Sequence, residues 1–280
     1  MTTTAADLYC VMGNPVAHSR SPAIHARFAE LTGQPIRYES RLIPLDGFAE
    51  GVRAFVAEGG RGCNVTVPFK FEAPALATHS SERVRLAGAA NTLVFAPDGG
   101  IYADNTDGLG LVADITRNAG VSLQGARVLL VGAGGAAAGV LGPLLVAGAR
   151  HITIANRTVA RAQALVASHS TLAALQKAEL LALSQQALDV NFDVIINATA
   201  SSLTGAEVPV PATVLRPGCL AYDMMYGPAA EGFLNWAQSH GAVPSDGLGM
   251  LVEQAAEAFA LWRGVRPPSA QVLHEMRQAA

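Results

Sequence analysis

The stretch Val128-Leu129-Leu130-Val131-Gly132-Ala133-Gly134-Gly135-Ala136-Ala137 determines the fold of the second half of this chain. Its apolar start predicts a buried strand, and the apolar run over residues 139–147 predicts a helix. Gly132 permits a tight turn, Gly134 lets backbone N–H groups approach a pyrophosphate, and Ala137 keeps the helix close to the sheet. The new helix presents its positive end to an anion. A plain turn is the alternative, but the flanking strand and helix favour a dinucleotide-binding turn, whose candidate contacts are Gly132, Ala133, Gly134, Gly135 and Ala136.

The next predicted strand, residues 151–155, indicates which dinucleotide is bound. It ends in Asn156-Arg157-Thr158, and Arg161 follows one helical turn later. A carboxylate at this position would accept a hydrogen bond from a free ribose 2′-hydroxyl but would repel a 2′-phosphate. Arg157 and Arg161 instead supply charged, planar groups that match phosphate oxygens, so the sequence predicts NADP rather than NAD. The alternative interpretation is that both arginines are solvated charges at the start of a helix.

Length and composition limit the classes of protein to consider. The chain has 280 residues, half of them hydrophobic, and a net charge of −3, which predicts two compact cores and gives no support for nucleic-acid or membrane-surface binding. The N-terminus lacks a basic and apolar leader, and no apolar run has the length of a membrane span. Cys10, Cys63 and Cys219 show no metal-ligand spacing, so we expect no metal and three buried thiols in a reducing cytoplasm.

The first half begins with a strand over residues 8–12 and a helix marked by Ile24, Phe28 and Leu31. Ser21, directly before Pro22, is predicted to cap this helix. Ser19 and Ser21 then place two hydroxyl groups beside free backbone N–H groups, which suits a small carboxylate. The alternative is that Ser21 only caps the helix and Ser19 only faces solvent.

Polar residues follow at two further element ends. A strand is predicted over residues 63–67 and ends at Pro68, which places Asn64, Thr66 and Lys70 where α/β proteins bind ligands. After a predicted hairpin, Asp107 opens a helix that stops near residue 120, and the domain boundary is expected near the start of this helix. The alternatives are that Lys70 is only a solvated charge and that Asp107 is only an N-cap.

The second half continues as alternating helices and strands. Apolar runs over residues 192–196 and 220–223 predict parallel strands buried on both faces. Thr199, Met224 and Tyr226 follow these strand ends and are candidates for the wall of a cofactor crevice, although each could equally serve packing. A long helix begins near Gly247, carries Gln254 about two turns in, and is followed by a last helix from Ser269.

Six short motifs in this order resemble the shikimate dehydrogenase family, and the resemblance extends from about residue 8 to about residue 263. They are residues 13–22 (GNPVAHSRSP), 64–70 (NVTVPFK), 88–92 (GAANT), 105–108 (NTDG), 156–158 (NRT) and 246–256 (DGLGMLVEQAA). The resemblance implies NADPH-dependent, reversible reduction of 3-dehydroshikimate to shikimate in aromatic amino acid (chorismate) biosynthesis. It also implies a cytoplasmic enzyme whose partners are small molecules, as a monomer or homodimer.

The resemblance further implies an α/β fold of two domains with a cleft between them. The first is an α/β substrate domain over residues 1–107, completed by C-terminal helices 248–280. The second is a Rossmann-type, doubly wound NADP-binding domain over residues 108–247.

The resemblance also assigns roles to individual residues. Lys70 and Asp107 would be the acid–base pair at the reacting oxygen, and Ser19 and Ser21 would hold the substrate carboxylate. Asn64, Thr66, Asn91, Asp107 and Gln254 would contact hydroxyl groups, and Tyr226 would add a substrate contact. The cofactor would contact the glycine turn together with Asn156, Arg157, Thr158, Arg161, Thr199, Met224 and Gly247.

Some positions depart from the usual family pattern, and two alternatives stay open. Ala26, the turn Ala200-Ser201-Ser202 and the pair Glu231-Gly232 replace more common residues, which leaves the cofactor fit less defined than the substrate site. One alternative is a quinate/shikimate dehydrogenase with relaxed cofactor use. The other is a protein that senses NADP or a metabolite without turnover, against which the presence of both Lys70 and Asp107 argues.

Overall fold

The computed structural model describes residues 6–199 and 208–279. The extreme N-terminus and the turn Ala200-Ser201-Ser202 lie outside the described residues. Within the described part, the chain folds as two compact units. The first extends to Gly110 and includes Leu251–Ala279, and the second is Leu111–Met250, whereas the sequence places these boundaries at residues 107 and 248.

The first unit is built on a six-stranded mixed sheet in the order β2-β1-β3-β5-β6-β4. Strands β1, β2 and β3 are mutually parallel, whereas β5 runs antiparallel to both β3 and β6. Its strands are β1 (Asp7–Gly13), β2 (Ile36–Leu42), β3 (Gly60–Val65), β4 (His79–Ser80), β5 (Thr92–Phe95) and β6 (Ile101–Asp104). Its helices are α1 (Ser21–Thr32), α2 (Phe48–Ala57), α3 (Glu82–Ala87), the start of α4 (Asp107–Ala113), most of α8 (Leu248–Arg263) and α9 (Ser269–Gln278).

The second unit is a six-stranded sheet in the order β12-β11-β10-β7-β8-β9, with every neighbouring pair parallel. Counted along this unit, the order is that of a doubly wound dinucleotide-binding fold, so the predicted α/β class and Rossmann type are confirmed. Its strands are β7 (Arg127–Val131), β8 (His151–Ala155), β9 (Glu179–Leu183), β10 (Val194–Asn197), β11 (Leu220–Asp223) and β12 (Val243–Ser245). Its helices are α5 (Gly135–Val146), α6 (Val159–Leu175) and α7 (Glu231–Ser239).

Burial of the strands explains why the apolar runs predict this sheet well. Val128–Val131 of β7 and all four residues of β10 are buried, because helices cover both faces of a parallel sheet. The three cysteines are buried and unpaired, as expected. Among the described residues, the helices are too short or too polar to cross a bilayer.

The prediction that Ser21 caps helix α1 is wrong. The helix starts at Ser21 itself, Arg20 takes the N-cap position with helical backbone angles, and the Arg20 side chain makes no capping hydrogen bond. The reason is that the backbone N–H of Ile24 donates to the carbonyl of Arg20 at 3.1 Å, which adds one residue to the first turn. The Ser21 N–H donates to the Ser19 hydroxyl at 3.3 Å, so the hydroxyl that satisfies a backbone N–H at this helix end belongs to Ser19 and not to Ser21.

Helix α4 also differs from the expected uniform helix. It is α-helical to Ala113 and then widens into a π-helical turn over Asp114–Asn118. The buried Asp114 carboxylate accepts hydrogen bonds from Tyr222 Oη at 2.6 Å and from Asn118 Nδ2 at 2.8 Å. These bonds give both carboxyl oxygens of Asp114 a partner inside the second unit, where an unpaired polar group would be costly.

A histidine is buried without a hydrogen-bond partner among the described residues of the first unit. His25 is fully buried, its ring stacks on Tyr38 with centroids 4.1 Å apart, and neither ring nitrogen has a hydrogen-bond partner among the described residues. The Asn64 amide lies close to the ring without a hydrogen bond of normal geometry. Burial therefore dominates and lowers the pKa of His25 from 6.5 to about 3.

We expect the free energy of unfolding to fall by roughly 2 kcal/mol between about pH 7.5 and about pH 5 through this group. The folded-state pKa of His25 lies below its unfolded value, so its contribution is complete above pH 6.5 and is lost as the pH falls toward about 3. Urea unfolding at several pH values measures the loss. His25→Phe should flatten the profile, whereas replacing the exposed His240 with Gln should leave it unchanged; an unchanged profile in His25→Phe would contradict the assignment.

Candidate active site

Lys70 and Asp107 form a close ion pair in the first unit. Lys70 lies on the short 3-10 turn Phe69–Phe71 that follows β3, and Asp107 is the first residue of α4. The distance from Lys70 Nζ to Asp107 Oδ2 is 2.5 Å, and the two side chains are 18% and 8% exposed. The pair is therefore largely screened from water but still accessible to a small molecule.

Local packing holds the lysine in place. The neighbouring Phe69 is fully buried and stacks on Phe48 of α2, with ring centroids 4.9 Å apart. The carbonyl oxygen of Lys70 accepts a hydrogen bond from the backbone N–H of Ala90 at 2.9 Å. The 3-10 turn is thus anchored by the Phe69 side chain and by the Lys70 carbonyl group.

The loop before Asp107 is fixed by a second buried carboxylate. Asp104, at the end of β6, is fully buried and pairs with Arg83 at 2.7 Å. It also accepts hydrogen bonds from the Ser81 hydroxyl and from the backbone N–H of Asn105, both at 2.7 Å. The Asn105 side chain in turn accepts the N–H of Asp107 at 3.2 Å, so the position of Asp107 follows from the Asp104 network.

Asn91 is the hub of the polar residues around Asp107. Its Nδ2 lies 2.8 Å from Asp107 Oδ1 and 3.2 Å from Gln254 Oε1 on α8, and its Oδ1 accepts from the Thr106 N–H at 2.8 Å. One oxygen of the Asp107 carboxylate therefore faces Lys70 and the other faces Asn91. Both oxygens therefore have a hydrogen-bond donor, which fixes the orientation of the carboxylate.

Asn64 and Thr66 lie beside this hub. Asn64, on β3, donates through Nδ2 to Thr92 Oγ1 at 3.1 Å and accepts through Oδ1 from the Tyr38 hydroxyl at 2.7 Å. Thr66 is half-buried and follows the strand, which ends at Val65 and not at residue 67 as predicted. Gly13 lies directly against Thr66: a Cβ on Gly13 would lie 2.3 Å from the Thr66 methyl group, so a larger residue there would displace Thr66.

The two serines at the start of α1 connect to the same polar residues. Ser19 and Ser21 are joined by the N–H···Oγ bond described above, and Ser21 is buried. The Ser21 side chain also lies close to the Tyr38 hydroxyl, and burial raises the pKa of Tyr38 well above its usual range. The structure thus brings together residues from separate elements of the first unit, namely Ser21, Tyr38, Asn64, Lys70, Asn91, Asp107 and Gln254.

Sequence reasoning does not identify several members of this network. Thr92 and Thr106 are inside the quoted motifs, but a threonine in a strand or a turn gives no sign that its hydroxyl links two amides. Tyr38 lies in strand β2, and the sequence of this strand does not indicate that the tyrosine hydroxyl makes a hydrogen bond in the candidate site. Its partner Asn64 is 26 residues away, and only the pairing of β1 with β2 and β3 brings the two close.

The glycine turn of the second unit has the geometry expected for a pyrophosphate. Gly132 has φ +111°, and a Cβ there would lie 3.1 Å from the carbonyl oxygen of Ala198. A Cβ on Gly134 would meet open space, and α5 begins at the next residue. Ala133, Gly134, Gly135 and Ala136 surround this open helix start, whereas Ala137 is buried against the sheet.

The proposed ribose-phosphate contacts follow β8, which ends at Ala155. Arg157, Thr158 and Arg161 lie at the start of α6, and both arginines are exposed. The Asn156 side chain donates to the Thr158 carbonyl at 2.9 Å and so holds the turn that carries Arg157. Two guanidinium groups are therefore available to an anionic ligand on this edge.

The remaining candidates lie at the ends of β10 and β11. A Cβ on Gly132 would lie 3.1 Å from the Thr199 methyl group, so Thr199 borders the glycine turn. Gly247 packs so closely on Met224 that a Cβ would lie 2.3 Å from the Met224 carbonyl oxygen. Tyr226 is half-buried just after β11. Over residues 6–199 and 208–279, no group of three or more His, Cys, Asp or Glu side chains is placed to hold a metal ion.

Comparison with known families gives matches over both units. The profile described as shikimate dehydrogenase substrate binding domain matches residues 11–93, and the profile described as shikimate / quinate 5-dehydrogenase matches residues 114–207. A third, described as shikimate 5′-dehydrogenase C-terminal domain, matches residues 247–280.

Individual relatives are similar to this chain over almost its full length. A shikimate dehydrogenase (NADP(+)) of Verminephrobacter eiseniae (strain EF01-2) is 75% identical over 275 residues, covering 98% of this chain and 96% of that relative. The crystal structure of an Ael1 enzyme from Pseudomonas putida has a TM-score of 0.89 at 46% identity, covering 96% of this chain and 98% of its own. A shikimate 5-dehydrogenase from Thermus thermophilus, in complex with NADP(H) and shikimate, has a TM-score of 0.83 at 30% identity, covering 98% and 100%. On these grounds the chain belongs to the shikimate dehydrogenase family.

Proposed function

We propose that this chain interconverts shikimate and 3-dehydroshikimate with NADP, as an NADP-dependent oxidoreductase of the cytoplasm in the pathway to chorismate and the aromatic amino acids. The observation that carries the proposal is the Lys70–Asp107 pair, 2.5 Å apart, beside the amides of Asn91 and Gln254. The name of the 75% identical relative supports both the substrate and the cofactor. The first unit would hold the substrate and the second unit would hold NADP.

The polar residues of the first unit match the groups of a polyhydroxylated carboxylic acid. Ser19 and Ser21 offer hydroxyl donors at the start of α1, which suits a carboxylate without a full positive charge. The residues proposed for the substrate hydroxyls share amide, hydroxyl or carboxylate side chains that can donate or accept. They are Asn64, Thr66, Asn91, Asp107, Gln254 and, from the second unit, Tyr226.

Lys70 would act as the proton donor to the carbonyl oxygen during reduction. Charge develops on that oxygen as the carbonyl carbon is reduced, and an ammonium group placed beside it stabilises the charge and then supplies the proton. Asp107 holds the Lys70 ammonium through Oδ2, while Asn91 holds Asp107 through Oδ1. In the reverse direction, the same lysine would accept the proton from the substrate hydroxyl.

The glycine turn fits NADP because it is open where the pyrophosphate would lie. The space beside Gly134 is free, and the N–H groups that begin α5 would donate to phosphate oxygens. Arg157 and Arg161 would bind the 2′-phosphate, with Asn156 and Thr158 shaping their turn. Thr199, Met224 and Gly247 would border the rest of the cofactor, which when bound exchanges hydride with the substrate carbon.

Turnover measured with four substrate pairs tests the proposal. Purified protein is given shikimate or quinate with NADP⁺ or NAD⁺, and formation of the reduced nicotinamide is followed by its absorbance. We expect the highest kcat/KM with shikimate and NADP⁺, because the second unit presents arginines where an NAD-specific site carries an acid.

The other outcomes would identify the alternatives. Comparable kcat/KM values for quinate, together with similar use of NAD⁺, would indicate a quinate/shikimate dehydrogenase with relaxed cofactor use. Tight binding of NADP⁺ measured by calorimetry, without turnover of either acid, would indicate a sensor and would contradict the proposed activity.

A further inference from the structure

A continuous chain of hydrogen bonds links Tyr38 to the Asp107 carboxylate inside the first unit. Tyr38 Oη donates to Asn64 Oδ1 at 2.7 Å, and Asn64 Nδ2 donates to Thr92 Oγ1 at 3.1 Å. Thr92 Oγ1 donates to Asn91 Oδ1 at 2.9 Å, and Asn91 Nδ2 donates to Asp107 Oδ1 at 2.8 Å. We call these five side chains the Tyr38–Asp107 chain.

The carboxylate at one end gives the Tyr38–Asp107 chain a single direction. An ionised carboxylate only accepts, so Asn91 must turn its Nδ2 toward Asp107 and its Oδ1 toward Thr92. The single hydroxyl proton of Thr92 is then used on Asn91, so Thr92 accepts from Asn64 Nδ2. Asn64 consequently turns its Oδ1 toward Tyr38, whose hydroxyl proton completes the series.

The direction decides which edge of Asn64 is available to a ligand. The two Nδ2 protons of Asn64 are used by Thr92 Oγ1 and by the Asn91 carbonyl oxygen at 3.2 Å. The free capacity of this amide is the second lone pair of Oδ1. Asn64 can therefore accept a hydrogen bond from a ligand hydroxyl, but it has no proton left to donate.

We propose that Tyr38 is a positioning residue of the active site, whose hydroxyl fixes Asn64 as a hydrogen-bond acceptor for a substrate hydroxyl and supports the orientation of Asn91 toward Asp107. This inference rests on the proposed function. Neither the sequence motifs nor the family comparison assigns a role to Tyr38.

The surroundings of Tyr38 suit this role. Its ring stacks on the buried ring of His25 with an interplanar angle of 10°, which fixes where the hydroxyl points. Burial raises the pKa of Tyr38 well above its usual range, so the hydroxyl keeps the proton that it donates. The same hydroxyl lies close to the side chain of Ser21, a residue proposed for the substrate carboxylate.

Replacing Tyr38 with Phe removes the hydroxyl and keeps the ring. The KM for shikimate should rise by about 5- to 10-fold, the usual worth of one hydrogen bond, while the KM for NADP⁺ stays within about 2-fold. We expect only a small fall in kcat, since Lys70 is untouched. General loosening of the fold would raise both KM values, whereas the proposed role predicts a rise in the KM for shikimate alone.

Tyr9→Phe is the matched control. Tyr9 pairs with Tyr38 across strands β1 and β2, and its ring stacks on Trp262 with centroids 4.7 Å apart. Its hydroxyl accepts from Arg263 at 3.4 Å and is not part of the Tyr38–Asp107 chain. We expect both KM values to match the unmodified protein; equal rises in the KM for shikimate in the two variants would contradict the proposal.

A second measurement does not depend on shikimate turnover. In ¹⁵N-labelled full-length protein, the Asn64 side-chain amide, assigned with Asn64→Asp, should show two protons protected from exchange with water. Tyr38→Phe should speed their exchange or broaden their resonances, whereas Tyr9→Phe should not. If the unmodified protein fails to oxidise shikimate but this amide responds as expected, the proposed function is wrong and the positioning role stands. An Asn64 amide that is unchanged in Tyr38→Phe would overturn the role of Tyr38.

Discussion

Replacing Lys70 with Ala is expected to lower kcat for shikimate oxidation by about 10²- to 10⁴-fold, the typical contribution of a positioned proton-transfer group. The KM for shikimate should change little, because the proposed contacts to its carboxylate and hydroxyls come from other side chains. The physical reason is the placement of Nζ beside Asp107 in a site that excludes most water. Steady-state kinetics at saturating NADP⁺ measures the effect.

Lys70→Arg separates the two roles proposed for the lysine. Arginine keeps a positive charge but does not release its proton at neutral pH. If proton transfer is the main contribution, Lys70→Arg should be nearly as slow as Lys70→Ala; if charge stabilisation is the main contribution, it should recover much of the rate.

The exposed Lys177, in the turn between α6 and β9 of the second unit, supplies the control. Lys177→Gln should retain the activity of the unmodified protein. Normal turnover in Lys70→Ala would remove this lysine from the mechanism, whatever the structure of the site.

Replacing Arg157 and Arg161 together with Ala is expected to lower kcat/KM for NADP⁺ by about 10²- to 10³-fold, on the basis of two charge-assisted hydrogen bonds of roughly 1.5–3 kcal/mol each, partly offset by solvent exposure. Arg157→Ala alone should cost about 10-fold or more. The values for NAD⁺ should hardly change, because NAD⁺ has no 2′-phosphate for these groups to contact.

The comparison of the two cofactors is the decisive part of this measurement. Equal losses for NADP⁺ and NAD⁺ would contradict a phosphate contact and would favour solvated surface charges, the alternative stated for these arginines. Arg53→Ala, which removes an exposed arginine from α2 of the first unit, should leave both values unchanged. Raising the salt concentration should weaken NADP⁺ binding in the unmodified protein more than in the double variant.

The fold was predictable where the residues that determine it are neighbours in the sequence. Residues 128–131 favour a strand and the glycines after them favour a turn, each through its own backbone preference. The structure has this strand and this turn, with Gly132 at positive φ. The error at Ser21 has the opposite origin. Capping preferences favour serine before proline, but one backbone hydrogen bond to Arg20 moves the helix start by a residue.

The candidate site was predictable only as a set of residue types. Motif positions identify Lys70, Asn91, Asp107 and Gln254, but they do not say which atoms face each other. Asn91 and Gln254 are 163 residues apart, and the roles of Tyr38 and Thr92 come from strand pairing across the sheet of the first unit.

The sequence by itself therefore determined the family, the doubly wound second sheet and the chemical groups that the site contains, because backbone preference, burial pattern and side-chain chemistry are properties of short segments. Only the tertiary structure decided that one oxygen of Asp107 accepts a hydrogen bond from Lys70 and the other accepts one from Asn91. It also decided that Asn64 turns its Oδ1 toward the Tyr38 hydroxyl. The physical reason is that an amide or a carboxylate takes its orientation from the donors and acceptors around it, and in this site those partners come from distant strands and helices.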